Sequence, residues 1–142
     1  MAVRPSVAEA SPFETVVADV LRGTASEAKA SYNEFASPWG LSFPAGICAG
    51  FHLVLEGQCW VRMADLAPVC ASAGDVVLLP HGDGHTLSDR PDRPPTPFDP
   101  ARHTNARQRG GGEQATLLCG VYRFGGSGQP NPIRPLLPAL IH

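Results

Sequence analysis

The sequence has no apolar run approaching the length of a membrane span, and its opening residues, MAVRPSVAEASPF, hold no apolar stretch of the signal-peptide kind. A cytoplasmic protein with no membrane contact is therefore expected. Charge of one sign is also lacking: 11 Lys and Arg against 13 Asp and Glu give a formal charge of −2 and a pI near 6.2. Nucleic-acid binding thus has no electrostatic footprint here. Cysteine is sparse, and the four present, Cys48, Cys59, Cys70 and Cys119, follow neither the CxxC pairing of a zinc site nor the spacing of a disulfide framework. Reduced, mostly buried thiols are expected. No Gly-x-Ser-x-Gly elbow, phosphate loop, dinucleotide fingerprint or internal repeat occurs, which removes the commonest hydrolase and nucleotide chemistries.

What is abundant is turn chemistry. Fifteen glycines and 15 prolines among 142 residues, with 43% hydrophobic content, indicate one domain of many short strands and few long helices. Residues 1–12 read as a loose arm. Pro12 to Arg22 suits one short amphipathic helix, with Val16, Val17, Val20 and Leu21 on one face and Gly23 as its stop. Strands follow. Cys48 to Leu55 and Gln58 to Met63 flank Glu56-Gly57, which reads as a hairpin turn, and Ala73-Gly74 separates two further strands. Arg90 to Gly112 combines five prolines with three consecutive glycines and almost no large apolar residue, so a long surface loop is expected. ATLLCGVYRF, Ala115 to Phe124, is a strong closing strand. The tail from Pro130 to His142 carries Leu136, Leu137, Leu140 and Ile141, which need something to pack against.

The densest pattern is GDVVLLPHGDGHTLSD, Gly74 to Asp89. Gly74-Asp75 turns the chain into the apolar run Val76 to Leu79. Pro80, without an N–H, ends its ladder. Gly82 and Gly84 permit a tight turn, and His85 opens the return strand, so a β-hairpin presenting one imidazole is expected. The spacing Gly74, Pro80, Gly82, His85, Asp89 resembles the second sequence motif of the cupins, with Asp89 where that motif usually has Asn. The resemblance implies an all-β, cupin-type jelly-roll β-barrel with a short N-terminal helix, a single domain over residues 1–142.

The same resemblance makes a negative statement. Cupins usually supply two His and one Glu from a first motif, whose positions fall here near Pro44 and Gly46 and at Gly50. None of these side chains can ligate a metal. His52 lies two residues after Gly50 and shares its face in a strand, beside His85 by analogy; Cys48 has the same parity, and Cys119 sits mid-strand. The run DVLRG, SPWGLSFPAG, FHLVLEGQCWVRM, AGDVVLLPHGDGHTLSD and TLLCGVYRF resembles, more narrowly, the N-terminal cupin domain of AraC-type transcriptional regulators, over Phe13 to Ile141. In those proteins the domain senses a small molecule or mediates dimerisation, and a separate helix-turn-helix pair, absent from this sequence, binds DNA. The resemblance thus implies a small-organic-ligand sensor and homodimer, with His52, His85, Trp39, Cys48 and Cys119 as candidate ligand contacts. The alternative is a stand-alone cupin enzyme acting on a small organic substrate, with a zinc or iron ion on His52, His85 and Cys119. A third reading is a dimerisation module whose barrel is filled by its own side chains.

Overall fold

Nine strands and a single helical turn make up the described part of the computed structural model, which covers residues 25–46, 48–105, 107, 111–124 and 136–142. The arm over 1–12 and the helix expected over Pro12 to Arg22 lie outside the described residues. In chain order the strands are β1 Ala25–Ala36, β2 Gly40–Phe43, β3 Ala49–Glu56, β4 Gln58–Arg62, β5 Val69–Ser72, β6 Val76–Leu79, β7 His85–Ser88, β8 Thr96–Pro97 and β9 Gln114–Phe124. A single turn of helix, α1 (Pro100–His103), precedes β9. One sheet has the order β1-β9-β3-β6 and the other β5-β4-β7-β2-β8. All pairings are antiparallel except that of β2 with β8. Two such sheets face to face, with the chain passing repeatedly between them, form a jelly roll.

Alternation along the strands builds the interior. On β3 the inward set is Gly50, His52 and Val54, while Phe51 and Leu53 point outward; on β6 Val77 and Leu79 are buried and Val76 is exposed. Phe35, Leu41, Val61, Leu87 and Leu117 complete the core from the remaining strands. Each fully buried aliphatic side chain contributes about 1.5–3 kcal/mol by leaving water.

Of the three glycine turns, those at Gly57 and Gly82 differ from the hairpins expected, while Gly74 turns the chain between two strands as expected. Gly57, Gly74 and Gly82 all have positive φ (75°, 93° and 68°), as tight turns need. Yet β3 and β4, β5 and β6, and β6 and β7 lie in opposite sheets, so none of these turns closes a hairpin. Each is a crossing from sheet to sheet. The hairpin is instead β4–β5, with Val61 opposite Val69.

Two other segments gain partners that the sequence left open. Residues 90–112 are not a featureless loop: β8 pairs with β2, Phe98 N–H donates to Ser42 O at 2.8 Å, and Asp99 caps α1 by accepting from Ala101 N–H at 3.0 Å. Asn105 Oδ1 then accepts from Tyr32 N–H at 2.9 Å, covering part of the open edge of β1. Of the apolar tail, Leu140 and Ile141 meet this same barrel while Leu136 is exposed. Leu78 and Ile141 exchange backbone hydrogen bonds of 2.8 and 2.9 Å, capping the free edge of β6, and Leu140 packs against the core. No helix among the described residues is long and apolar enough to cross a membrane.

Candidate functional site

At one end the two sheets part around a cavity of about 690 Å³, within the usual range for small-molecule sites. Its walls are mainly apolar, with Phe35, Leu41, Leu79 and Leu87 among them, and the 96–104 segment contributes Phe98, Pro100 and Thr104. Gly50 lies on this wall. A Cβ there would sit 3.9 Å from His85 Cε1 and 3.5 Å from a Leu79 methyl, ordinary contact distances, so glycine leaves side-chain space empty beside the imidazole.

The polar centre is a pair of histidines. His52 comes from β3 in one sheet and His85 from the start of β7 in the other, and their Nε2 atoms are 2.8 Å apart. The crossing at residues 80–84 places His85, whose Nδ1 lies 3.0 Å from the carbonyl oxygen of Asp83. That oxygen can only accept, so His85 Nδ1 carries the hydrogen. His85 Nε2 is then a bare acceptor, His52 Nε2–H donates to it, and His52 Nδ1 is left without a hydrogen. His52 Nδ1 is buried with no hydrogen-bond partner among the described residues. Phe43 fixes the His85 ring by stacking on it, with centroids 4.9 Å apart and planes 8° from parallel, and Phe98 stacks on Phe43 at 4.8 Å.

Burial sets the protonation of the pair. His52 is held well below the ordinary histidine value, first by desolvation and then by the nearby His85 charge. Desolvation also lowers His85, opposed by the hydrogen bond and charge of Asp83. Both rings are therefore neutral at neutral pH. The Cys119 thiol, opposite His52 in the β3–β9 register, is pushed up to about 12 by burial and by Cys59, against a hydrogen bond from Asn33. It is a neutral thiol, unsuited to act as a nucleophile.

A pH dependence of stability follows. Above about 6.5, the ordinary histidine value, both folded and unfolded imidazoles are neutral and the pair imposes no penalty. Below it the unfolded chain takes up protons that the folded pair refuses, so stability falls as pH drops toward the lowered folded values. Each ring adds a slope of about 1.4 kcal/mol per pH unit in that window. Urea unfolding between pH 7.5 and 5 should show this loss, and a His52→Leu, His85→Phe double variant should lack most of it. Equal slopes in both proteins would mean that the folded pair charges as readily as free imidazole.

Of the five expected contacts, His52, His85, Cys48 and Cys119 line this cavity. Trp39 does not. It is buried against Phe35, with centroids 4.4 Å apart, and borders a separate cavity of about 280 Å³ beside Gly57 and Gln114. Phe43, Phe98 and Asn33 belong to the site and were not anticipated. Phe98 had one available signal, as the large apolar residue of a proline-rich stretch.

The donors fit a shared proton better than a shared metal. Two imidazoles on one tetrahedral zinc, each about 2.0–2.1 Å from it, stand about 3.3 Å apart. Here the gap is 2.8 Å, and among the described residues no group of three or more His, Cys, Asp or Glu is placed to hold a metal ion.

A two-sheet jelly roll with a cavity between its sheets defines an all-β barrel architecture. The Cupin family profile matches residues 16–142, and the chain belongs to that family. No curated protein matches it. Among solved structures it is similar to a cupin protein of Bacteroides fragilis, with 18 residues in every hundred or fewer shared across these comparisons: 14% identity, 93% of this chain and 92% of that one, TM-score 0.45. It is also similar to a protein provisionally named ethanolamine utilization protein Q of Salmonella typhimurium (18% identity, 71% of this chain, TM-score 0.43). The chain spans 61% of that protein's length. A protein of Ralstonia eutropha provisionally named mannose-6-phosphate isomerase is similar at 18% identity over 70% of this chain and 82% of that one, with a TM-score of 0.41.

Proposed function

We propose that the chain is a small-molecule-binding cupin domain of the sensor type found in AraC-type transcriptional regulators. One observation carries this reading: an apolar cavity of about 690 Å³ whose buried polar centre is a neutral, proton-linked pair, His52 and His85. A neutral pair in an apolar cavity suits recognition of an organic molecule, and a ligand bound there can bias the arrangement of the domain or of a homodimer. The same reading gives the chain a cytoplasmic location and no nucleic-acid or membrane contact of its own.

The stand-alone enzyme is the second reading, because Cys119 lies opposite His52 in the β3–β9 register and a small shift of the His pair would admit zinc or iron. Elemental mass spectrometry of the untagged protein, beside His52→Ala and His85→Ala variants, separates the two. The expected result is far less than one transition-metal ion per chain in every preparation. Near-stoichiometric metal that both variants lose would establish the enzyme reading and sink the sensor.

A further inference from the structure

Counting donors and acceptors in the cavity narrows the ligand. In the neutral pair every N–H is already used: His85 Nδ1–H on the Asp83 carbonyl, and His52 Nε2–H on His85. What the pair has left is an acceptor, His52 Nδ1, buried and unpartnered among the described residues. Asn33, the other strongly polar side chain of the wall, is engaged, donating its amide to Ser31 Oγ at 3.0 Å. Charged residues bordering the cavity are Lys29, exposed, and Asp83, half-buried, and their signs cancel. An anionic group inside would therefore meet mainly apolar walls and a histidine pair with no N–H left to offer it. A cationic one would find, among the described lining residues, one carboxylate, Asp83 at the border, offset by Lys29. Burying either unpaired charge costs several kcal/mol. A neutral hydroxyl meets the reverse situation, since it brings the donor that the site lacks.

We infer that the cavity takes an uncharged, mainly apolar molecule that carries one hydroxyl and donates it to the His52–His85 pair. This deepens the small-molecule reading and rests on it. Four probes of one shape test it: 1-naphthol, naphthalene, 1-naphthoate and 1-naphthylmethylammonium, titrated into the full chain at pH 7.5 by fluorescence or calorimetry. 1-Naphthol should bind best, up to about tenfold more tightly than naphthalene, the gain expected of one buried hydrogen bond. Both ions should bind at least about a hundredfold more weakly than naphthol. In a His52→Phe variant the preference for naphthol over naphthalene should shrink to about twofold or less.

The unmodified protein alone suffices to overturn the inference. Tight binding of either ion, or equal binding of naphthol and naphthalene, would refute the ligand class while leaving the cavity as a small-molecule site. Failure of all four probes to bind would remove the small-molecule reading and this inference together.

Discussion

Replacing Gly82 by alanine should destabilise the fold by about 3 kcal/mol, combining the cost of a left-handed alanine, about 1–2 kcal/mol, with a backbone collision. Gly82 has φ +68°, and a Cβ on it would run into the carbonyl oxygens of Cys48 and Gly46. Those oxygens cannot yield cheaply, because Gly46 N–H is bonded to Gly82 O at 2.9 Å and Gly82 N–H to Leu79 O at 3.1 Å. The whole crossing from β6 to β7 would have to open, and His85 would move with it. Gly74→Ala is the matched control. Its φ is +93° but nothing lies within 4 Å of its added Cβ, so only the conformational cost of about 1–2 kcal/mol remains. Urea denaturation of the two variants beside the parent measures the difference. If Gly82→Ala loses no more than Gly74→Ala, the tight seat of this crossing is refuted.

Phe35→Ala should cost about 3–5 kcal/mol, the range for removing a buried aromatic ring. Phe35 is 2% exposed, stacks on Trp39 at 4.4 Å, and also borders the ligand cavity. Its ring therefore joins the core at one end of the barrel to the binding space at the other. Loss of the ring should lower the denaturation midpoint and change Trp39 emission in the folded state. A loss below about 1 kcal/mol would mean that the neighbours collapse into the space, contrary to the close packing around this ring.

Much of this architecture is legible in the sequence because strands have a period of two. Parity puts Gly50 and His52 on one face, but Phe51, Leu53 and Leu55 make the other face apolar too, so the meeting of His52 and His85 was legible through the cupin resemblance and not from alternation alone. Pairing partners could not be read. Parity says which side chains share an interior, but Glu56-Gly57 and residues 80–84 have the composition of hairpin turns while their strands run to opposite sheets. A positive-φ glycine reverses the chain equally well in either geometry. Trp39 lines the smaller cavity and not the one with the histidine pair for a related reason: an aromatic on a turn fits either end of a barrel, and the stack on Phe35 holds it at the far end. Residues 90–112 are largely exposed where described, as their composition suggests, but composition could not show the one ring that ties the segment down. Phe98 anchors the segment on Phe43, and a single cap and a two-residue strand pairing do the rest.

The histidine pair spans the two sheets, so the distance between its nitrogens is a gauge of how far apart the sheets stand. A hydrogen bond of 2.8 Å is largely lost once its atoms separate by a further half ångström or so. Widening of the barrel at this level is therefore registered as a broken link instead of a gradual strain, and the imidazole proton resonances would report it as a step.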